Sequence, residues 1–243
     1  TQVRERFGNI PVMFTLGNND SYAGDYQLVP GGAFLADTAE AFYNTLLLGW
    51  ADRKNYFSTY PAGGYFVAEP PGAKVLFVCL NSVLFSSHRA DGCTDSANNA
   101  GTTQLDWLEQ VLKKAQADKK KVFMVSHIPT GTSVYSTVKA YMDASGKISD
   151  AAVFWKESCQ SRFLEICRQY ESVIEIIFSG HAHMDEYRLI LDRDGEAHKA
   201  AIATPAVSPQ FGNNPAFKVL TLRGEDWKPL DYRSVNCDLA LSS

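Results

Sequence analysis

The 243-residue sequence has no C-x-x-C pair among its five cysteines, which argues against a zinc ribbon or a thioredoxin-type dithiol. It has no excess of positive charge: 23 Lys and Arg stand against 27 Asp and Glu, so no broad basic field exists to hold duplex nucleic acid. It has no long apolar run, since the stretch Thr45 to Ala51 falls far short of the roughly 20 residues that cross a bilayer. Nor does it open on a charged start followed by an apolar stretch; Thr1 to Gly8 is polar, which suggests a removed leader or a fragment of a longer chain. What is present, 45% hydrophobic residues, suffices to bury one sizeable core, and a single domain over residues 1–243 is expected.

Cysteine spacing narrows the possible pairing. If Cys159 and Cys167 share one helix, they lie about 12 Å apart along its axis, beyond the roughly 7 Å Cα limit for a bridge. Cys79 sits in the apolar run Val75 to Leu80 and reads as a small core residue, which leaves Cys93 and Cys237 as the plausible bridged pair.

Apolar periodicity sets out an alternation of strands and helices. Ile10 to Leu16, Lys74 to Leu80, Val122 to Val125 and Val173 to Phe178 are predicted buried strands. Between them, Thr38 to Trp50 with Asp37 as N-cap, Thr102 to Asp118 with a Thr103/Asp106 capping box, and Ser149 to Glu171 with Phe154, Phe163, Ile166 and Tyr170 are predicted helices. From Glu186 onward, alternation predicts successive antiparallel strands over Tyr187 to Leu191, Ala200 to Thr204 and Phe217 to Leu222, with a turn at Asp194-Gly195. This pattern is an α/β domain whose polar loops gather at the carboxyl ends of its strands.

Three of those strand ends carry chemistry. The first runs into Gly17-Asn18-Asn19-Asp20, the third into Ser126-His127-Ile128-Pro129, and the fourth into Ser179-Gly180-His181-Ala182-His183. Singly, each is an ordinary turn or loop histidine. Two histidines at i and i+2 after a buried strand are more telling, because both rings can face one cavity and neutral imidazole suits divalent transition metals.

Jointly these blocks resemble the calcineurin-like metallophosphoesterases. Gln104-Leu105-Asp106-Trp107-Leu108-Glu109, His127-Ile128-Pro129, Thr204-Pro205-Ala206-Val207-Ser208-Pro209 and Asn214-Pro215-Ala216-Phe217 resemble the acid-sphingomyelinase-like phosphodiesterase branch. The resemblance implies a four-layer α/β/β/α sandwich and two divalent ions (Zn, Mn or Fe). Asn18, His127 and His181 would hold one ion and His183 its neighbour. A metal-bridged hydroxide would attack the phosphorus of a small phosphate-ester substrate. It also favours an extracytoplasmic setting, secreted or periplasmic.

Two departures qualify that expectation. The family's earlier D-x-H and G-D-x-x-D blocks, which supply the bridging carboxylate, do not precede Gly17, and Gly24-Asp25 lies on the wrong side of the asparagine motif to replace them. Truncation at the N-terminus is the simplest reading, with the first strands outside the chain and the chain alone inactive. The second departure is Asn19, where the family places a proton-donating His. An amide cannot act as a general acid, though it can donate a hydrogen bond to a phosphoryl oxygen, so Asn19 is the expected catalytic contact. The Asn-Asn form resembles endopolyphosphatases, which keeps polyphosphate and nucleotide substrates in view. The rival class is a non-catalytic phosphate- or metal-binding module.

Other polar residues read more plainly. His88 is a solvated loop residue, Asp185 and Glu186 are candidate orienters of the imidazoles, and Asn213-Asn214 is a turn. Trp50, Trp107, Trp155 and Trp227 are expected as core or surface anchors.

Overall fold

A computed structural model describes residues 2–94, 99–192 and 194–239. The continuous β-branched and aromatic runs become strands buried on both faces, the usual signature of parallel pairing under covering layers. They are β2 (Val75–Cys79), β3 (Lys121–Val125) and β4 (Ile174–Ser179), and with β6 (Ala197–Ala203) they pair in parallel in the order β2-β3-β4-β6. Short β1 (Phe66–Ala68) and β5 (Glu186–Leu191) close the two edges antiparallel. A separate two-stranded sheet is formed by β7 (Ala216–Leu222) and β8 (Pro229–Asn236).

Helices cover one face of the large sheet. The crossover from β2 to β3 is α4 (Ala100–Ala117), which buries Leu105, Leu108 and Leu112, and that from β3 to β4 includes α6 (Glu157–Gln169), which buries Cys159, Phe163 and Ile166. The opposite face carries Val75, Phe123, Ile176 and Ile202, against which Leu220, Leu222 and Trp227 pack from the second sheet and its connecting loop. Helix, sheet and second sheet are therefore stacked layers of a mixed α/β sandwich. All four tryptophans serve as anchors: Trp155 is fully buried, while Trp50, Trp107 and Trp227 pack on Phe77, Tyr65 and Phe77 respectively.

Several predicted elements change. Ile10 to Leu16 joins no ladder: β1 and β3 already occupy both sides of β2. Its polar groups find scattered partners instead, such as Val12 N–H to Leu46 O at 2.8 Å and Thr15 Oγ1 to Leu80 O. The helix expected from Asp37 starts earlier: α2 spans Ala33–Phe42 from an N-cap at Gly32, and one π-helical turn, Tyr43–Leu47, finishes it. Its buried residues, Leu35 and Ala39, fall on either side of Asp37, so the apolar face begins before the expected cap. The cap of α4 is Asn99, whose side chain accepts from Thr102 N–H at 2.9 Å; Asp106, freed from the expected capping box, pairs with Arg162 of α6.

Three further helices are not predicted. These are α1 (Gln2–Phe7), α3 (Arg53–Gly63), capped by the Asp52 side chain, and α5 (Val134–Tyr141). The helix predicted from Ser149 begins only at Glu157. Before it the chain is extended, bridging Thr132 to Val153 and Ser86 to Trp155. In the tail, β5 and β6 pair antiparallel as predicted, but β6 lies parallel to β4 on its other side, and β7 turns away to pair with β8.

The bridged cysteine pair is also different. Cys93 bonds Cys159 across a Cα separation of 4.9 Å, because the first turn of α6 lies under the loop leading to α4; Cys93 N–H also reaches Cys159 Sγ at 2.9 Å. Cys237 is exposed beyond β8, with its N–H on Pro215 O.

Candidate metal centre

Parallel pairing of β3 with β4 decides which loops meet. Their ladder continues past both strands: Ser126 N–H donates to Phe178 O and Gly180 N–H to His127 O, each at 2.9 Å, so His127 and the Gly180-to-His183 loop lie side by side. The Gly17-to-Asp20 turn brings Asn18 over them. Asp20 closes that turn by accepting from Gly17 N–H at 2.7 Å. A Cβ at Gly17 would stand 3.2 Å from both Cε1 and Nε2 of His127, so any side chain there would press on the His127 ring.

Three donor atoms then converge on one point. Asn18 Oδ1 lies 2.9 Å from His127 Nε2 and 3.1 Å from His181 Nδ1, and the two ring nitrogens are 3.2 Å apart. Donors about 3 Å from one another fit a single divalent ion roughly 2.1 Å from each. Both rings are kept neutral. Burial, then the nearby His183 ring, pushes His127 down to about 4. Burial, followed by His127, His183 and His88, does the same to His181, against a small opposing pull from Asp25. Neutral imidazole is the ligating form.

His183 stands beside this trio rather than in it. Its Nδ1 is buried with no hydrogen-bond partner among the described residues, the condition of a nitrogen held for a ligand. Both His181 (φ 65°) and His183 (φ 57°) adopt left-handed backbone, a strain usually kept where function requires it. Phe211 meets the His183 ring edge-on at 4.8 Å. Next to it a cleft of about 190 Å³ is bordered by His183, Asp185, Pro205, Asn213, Asn214 and Ser234, so the Asn213-Asn214 turn lines the site. Asn19 is exposed, adjacent to Asn18 at the rim.

Thus Asn18, His127 and His181 meet, with His183 alongside. The other candidates do not join them. Asp185 pairs with Lys218 and Ser234, and Glu186 with Arg188, so neither orients an imidazole. His88 is exposed and stacks on Tyr26 at 4.5 Å. Among the described residues no cluster of three or more His, Cys, Asp or Glu gathers; the centre consists of two imidazoles and an amide.

Sequence reasoning missed the residues behind the ligands. Asp25 accepts from Asn18 Nδ2 at 2.7 Å, and Tyr26 Oη lies 3.2 Å from His181 Nε2. Phe154, placed in a helix by its spacing, instead walls the site against His181 at 5.5 Å, beneath the guanidinium of Arg188. Arg188 also donates to the carbonyls of Thr130 and Thr132, both at 2.9 Å, and pins the loop after His127. Tyr26 and His181 are 155 positions apart, so no local sequence signal links them.

A model of the calcineurin-like phosphoesterase family matches residues 2–185. The chain is 26% identical over 238 residues to the cyclic GMP-AMP phosphodiesterase SMPDL3A of Rattus norvegicus, covering 94% of this chain and 48% of that protein. It is 26% identical over 230 residues to the acid sphingomyelinase-like phosphodiesterase 3b of Homo sapiens, covering 89% and 45%. With the sphingomyelin phosphodiesterase B of Dictyostelium discoideum it shares 25% over 256 residues, covering 98% and 35%. The chain spans about half the length, or less, of these curated relatives.

Proposed function

The chain belongs to the calcineurin-like phosphoesterase family, in its acid-sphingomyelinase-like branch, and from that premise we propose that it forms part of a divalent-metal-dependent phosphodiesterase. The observation that carries this reading is the convergence of Asn18 Oδ1, His127 Nε2 and His181 Nδ1 within 2.9–3.2 Å of one another. Those three would hold one ion, and Nδ1 of His183, without a hydrogen-bond partner among the described residues, would serve a second. A bound divalent ion supplies Lewis acidity and a water of lowered pKa.

The residues do the rest. Neutral His127 and His181 present lone pairs without first losing a proton at neutral pH. Asn19, at the rim, donates an amide hydrogen bond to a phosphoryl oxygen but has no proton to give a leaving oxygen. Leaving groups that depart as weakly basic anions, including phosphates, therefore suffer least. This favours activated diesters and keeps nucleotide or polyphosphate substrates beside phospholipid head-group diesters. The Cys93–Cys159 bond favours an oxidising, extracytoplasmic setting. No described helix is long and apolar enough to cross a membrane.

Elemental analysis of the chain after gel filtration with Mn²⁺ or Zn²⁺ tests the centre, and hydrolysis of bis-p-nitrophenyl phosphate by the full-length protein tests the activity. We expect bound metal that is lost in His127→Ala, and metal-dependent turnover. A chain that retains no divalent ion, with a full-length protein inert toward diesters, would overturn the reading.

A further inference from the structure

We propose that Asp25 and Tyr26 form a positioning clamp: Asp25 sets which face Asn18 turns toward the metal point, and Tyr26 holds the Nε2 edge of His181 so that Nδ1 faces that point. The inference rests on the metal-centre reading above and assigns roles to two residues outside the expected ligand set.

An asparagine side chain has an acceptor end and a donor end of nearly equal shape, so a loop that merely delivers Asn18 leaves two orientations open. A carboxylate only accepts. With Asp25 Oδ1 2.7 Å from Nδ2, the NH₂ group is committed to Asp25, and Oδ1 must face His127 and His181. Donation to an anion also polarises the amide and raises the negative charge on Oδ1, which strengthens it as a cation ligand.

His181 is held from its other edge by a group that can donate or accept, so here it is the placement of the ring that counts. Its Nδ1 faces the metal point, 3.1 Å from Asn18 Oδ1, while its Nε2 lies 3.2 Å from Tyr26 Oη. A proton on Nε2 can donate to the phenol oxygen, which leaves Nδ1 as the lone pair. One backbone bond joins the two devices: Tyr26 N–H donates to Asn18 O at 2.8 Å, closing Asn18 to Tyr26 into a single loop. The Tyr26 ring, edge-on to His181 at 6.1 Å, and Phe154 at 5.5 Å restrict the imidazole plane.

The test is Co²⁺ binding to the chain, followed by calorimetry and the visible d–d spectrum, with the His181 tautomer read by long-range ¹H–¹⁵N NMR. Loss of a residue that orients a ligand typically weakens metal affinity about 10- to 100-fold, and that is expected for Asp25→Ala. The isosteric Asp25→Asn, which keeps an acceptor but not the charge, should fall between Asp25→Ala and wild type. Tyr26→Phe should shift the tautomer balance of His181 and alter the Co²⁺ spectrum, with the melting temperature of the metal-free protein little changed. If wild type binds Co²⁺ and Asp25→Asn and Tyr26→Phe match it in affinity, spectrum and tautomer, the clamp is wrong and the metal centre stands. If wild type binds no Co²⁺, both fall.

Discussion

Replacing Cys93 and Cys159 together by alanine removes the one covalent tie between the loop ahead of α4 and the first turn of α6. The bond joins residues separated by 66 positions, and in the chain-entropy account closing such a loop lowers the entropy of the unfolded state enough to stabilise the fold by about 4 kcal/mol. Both cysteines are buried, at 8% and 0% exposure, so the alanines leave small apolar gaps that add to the loss rather than offset it. In urea, with a slope of about 3 kcal/mol per molar, the unfolding midpoint should drop by somewhat more than 1 M, and dithiothreitol should lower wild type to a similar value while leaving the double variant unchanged. Gly101 supplies an internal check. A Cβ there would meet Cys93 Sγ at 2.9 Å and Leu84 O at 3.2 Å, so Gly101→Ala should cost less in the Cys93→Ala background than in wild type. Coincident midpoints for wild type and the double variant, with no response to reductant, would refute the reasoning.

Three other outcomes are expected. In the full-length protein His127→Ala should lower turnover by orders of magnitude with the circular-dichroism spectrum nearly unchanged, since His127 lies in a loop beyond β3; near-normal kcat/KM would remove it from the site. Asn19→His should accelerate alkyl phosphodiesters by about 10²- to 10⁴-fold and activated p-nitrophenyl esters far less, compared as kcat/KM at saturating metal; equal responses would take Asn19 off the leaving-group side. Metal-free stability should fall on acidification, because the unfolded imidazoles protonate near 6.5 whereas His127 and His181 resist until about 4. The stabilisation is thus complete above pH 6.5 and is lost as pH drops toward 4, by on the order of 3 kcal/mol for one such imidazole. Urea unfolding at pH 7 and pH 4.5 in chelator measures this, and a flat profile would show that the rings are not buried neutral.

By itself the sequence determined the central strands and the ligand loops, because those signals are local. An apolar run such as VLFVC or IEIIF has few alternatives to a buried strand, and a polar turn carrying histidine at its end is confined to the strand's carboxyl edge. The amphipathic face of α4 was equally plain. What tertiary structure decided was everything that depends on who the neighbour is. Ile10 to Leu16 has strand composition yet lacks a ladder, since β1 holds the place beside β2. Phe154 has helical spacing yet sits in an extended segment, held by bridges to loops on either side of the site. Cys93 found Cys159 rather than Cys237 because the packing of α4 and α6 on one face brings those two within 4.9 Å. The same holds at the centre. His181 and His183 were visible as a motif, but the 2.9–3.2 Å meeting of Asn18, His127 and His181 arises only when parallel β3 and β4 set His127 and His181, 54 positions apart, side by side and the Gly17–Asp20 turn brings Asn18, with Asp25 and Tyr26 behind it, over them from more than a hundred positions away.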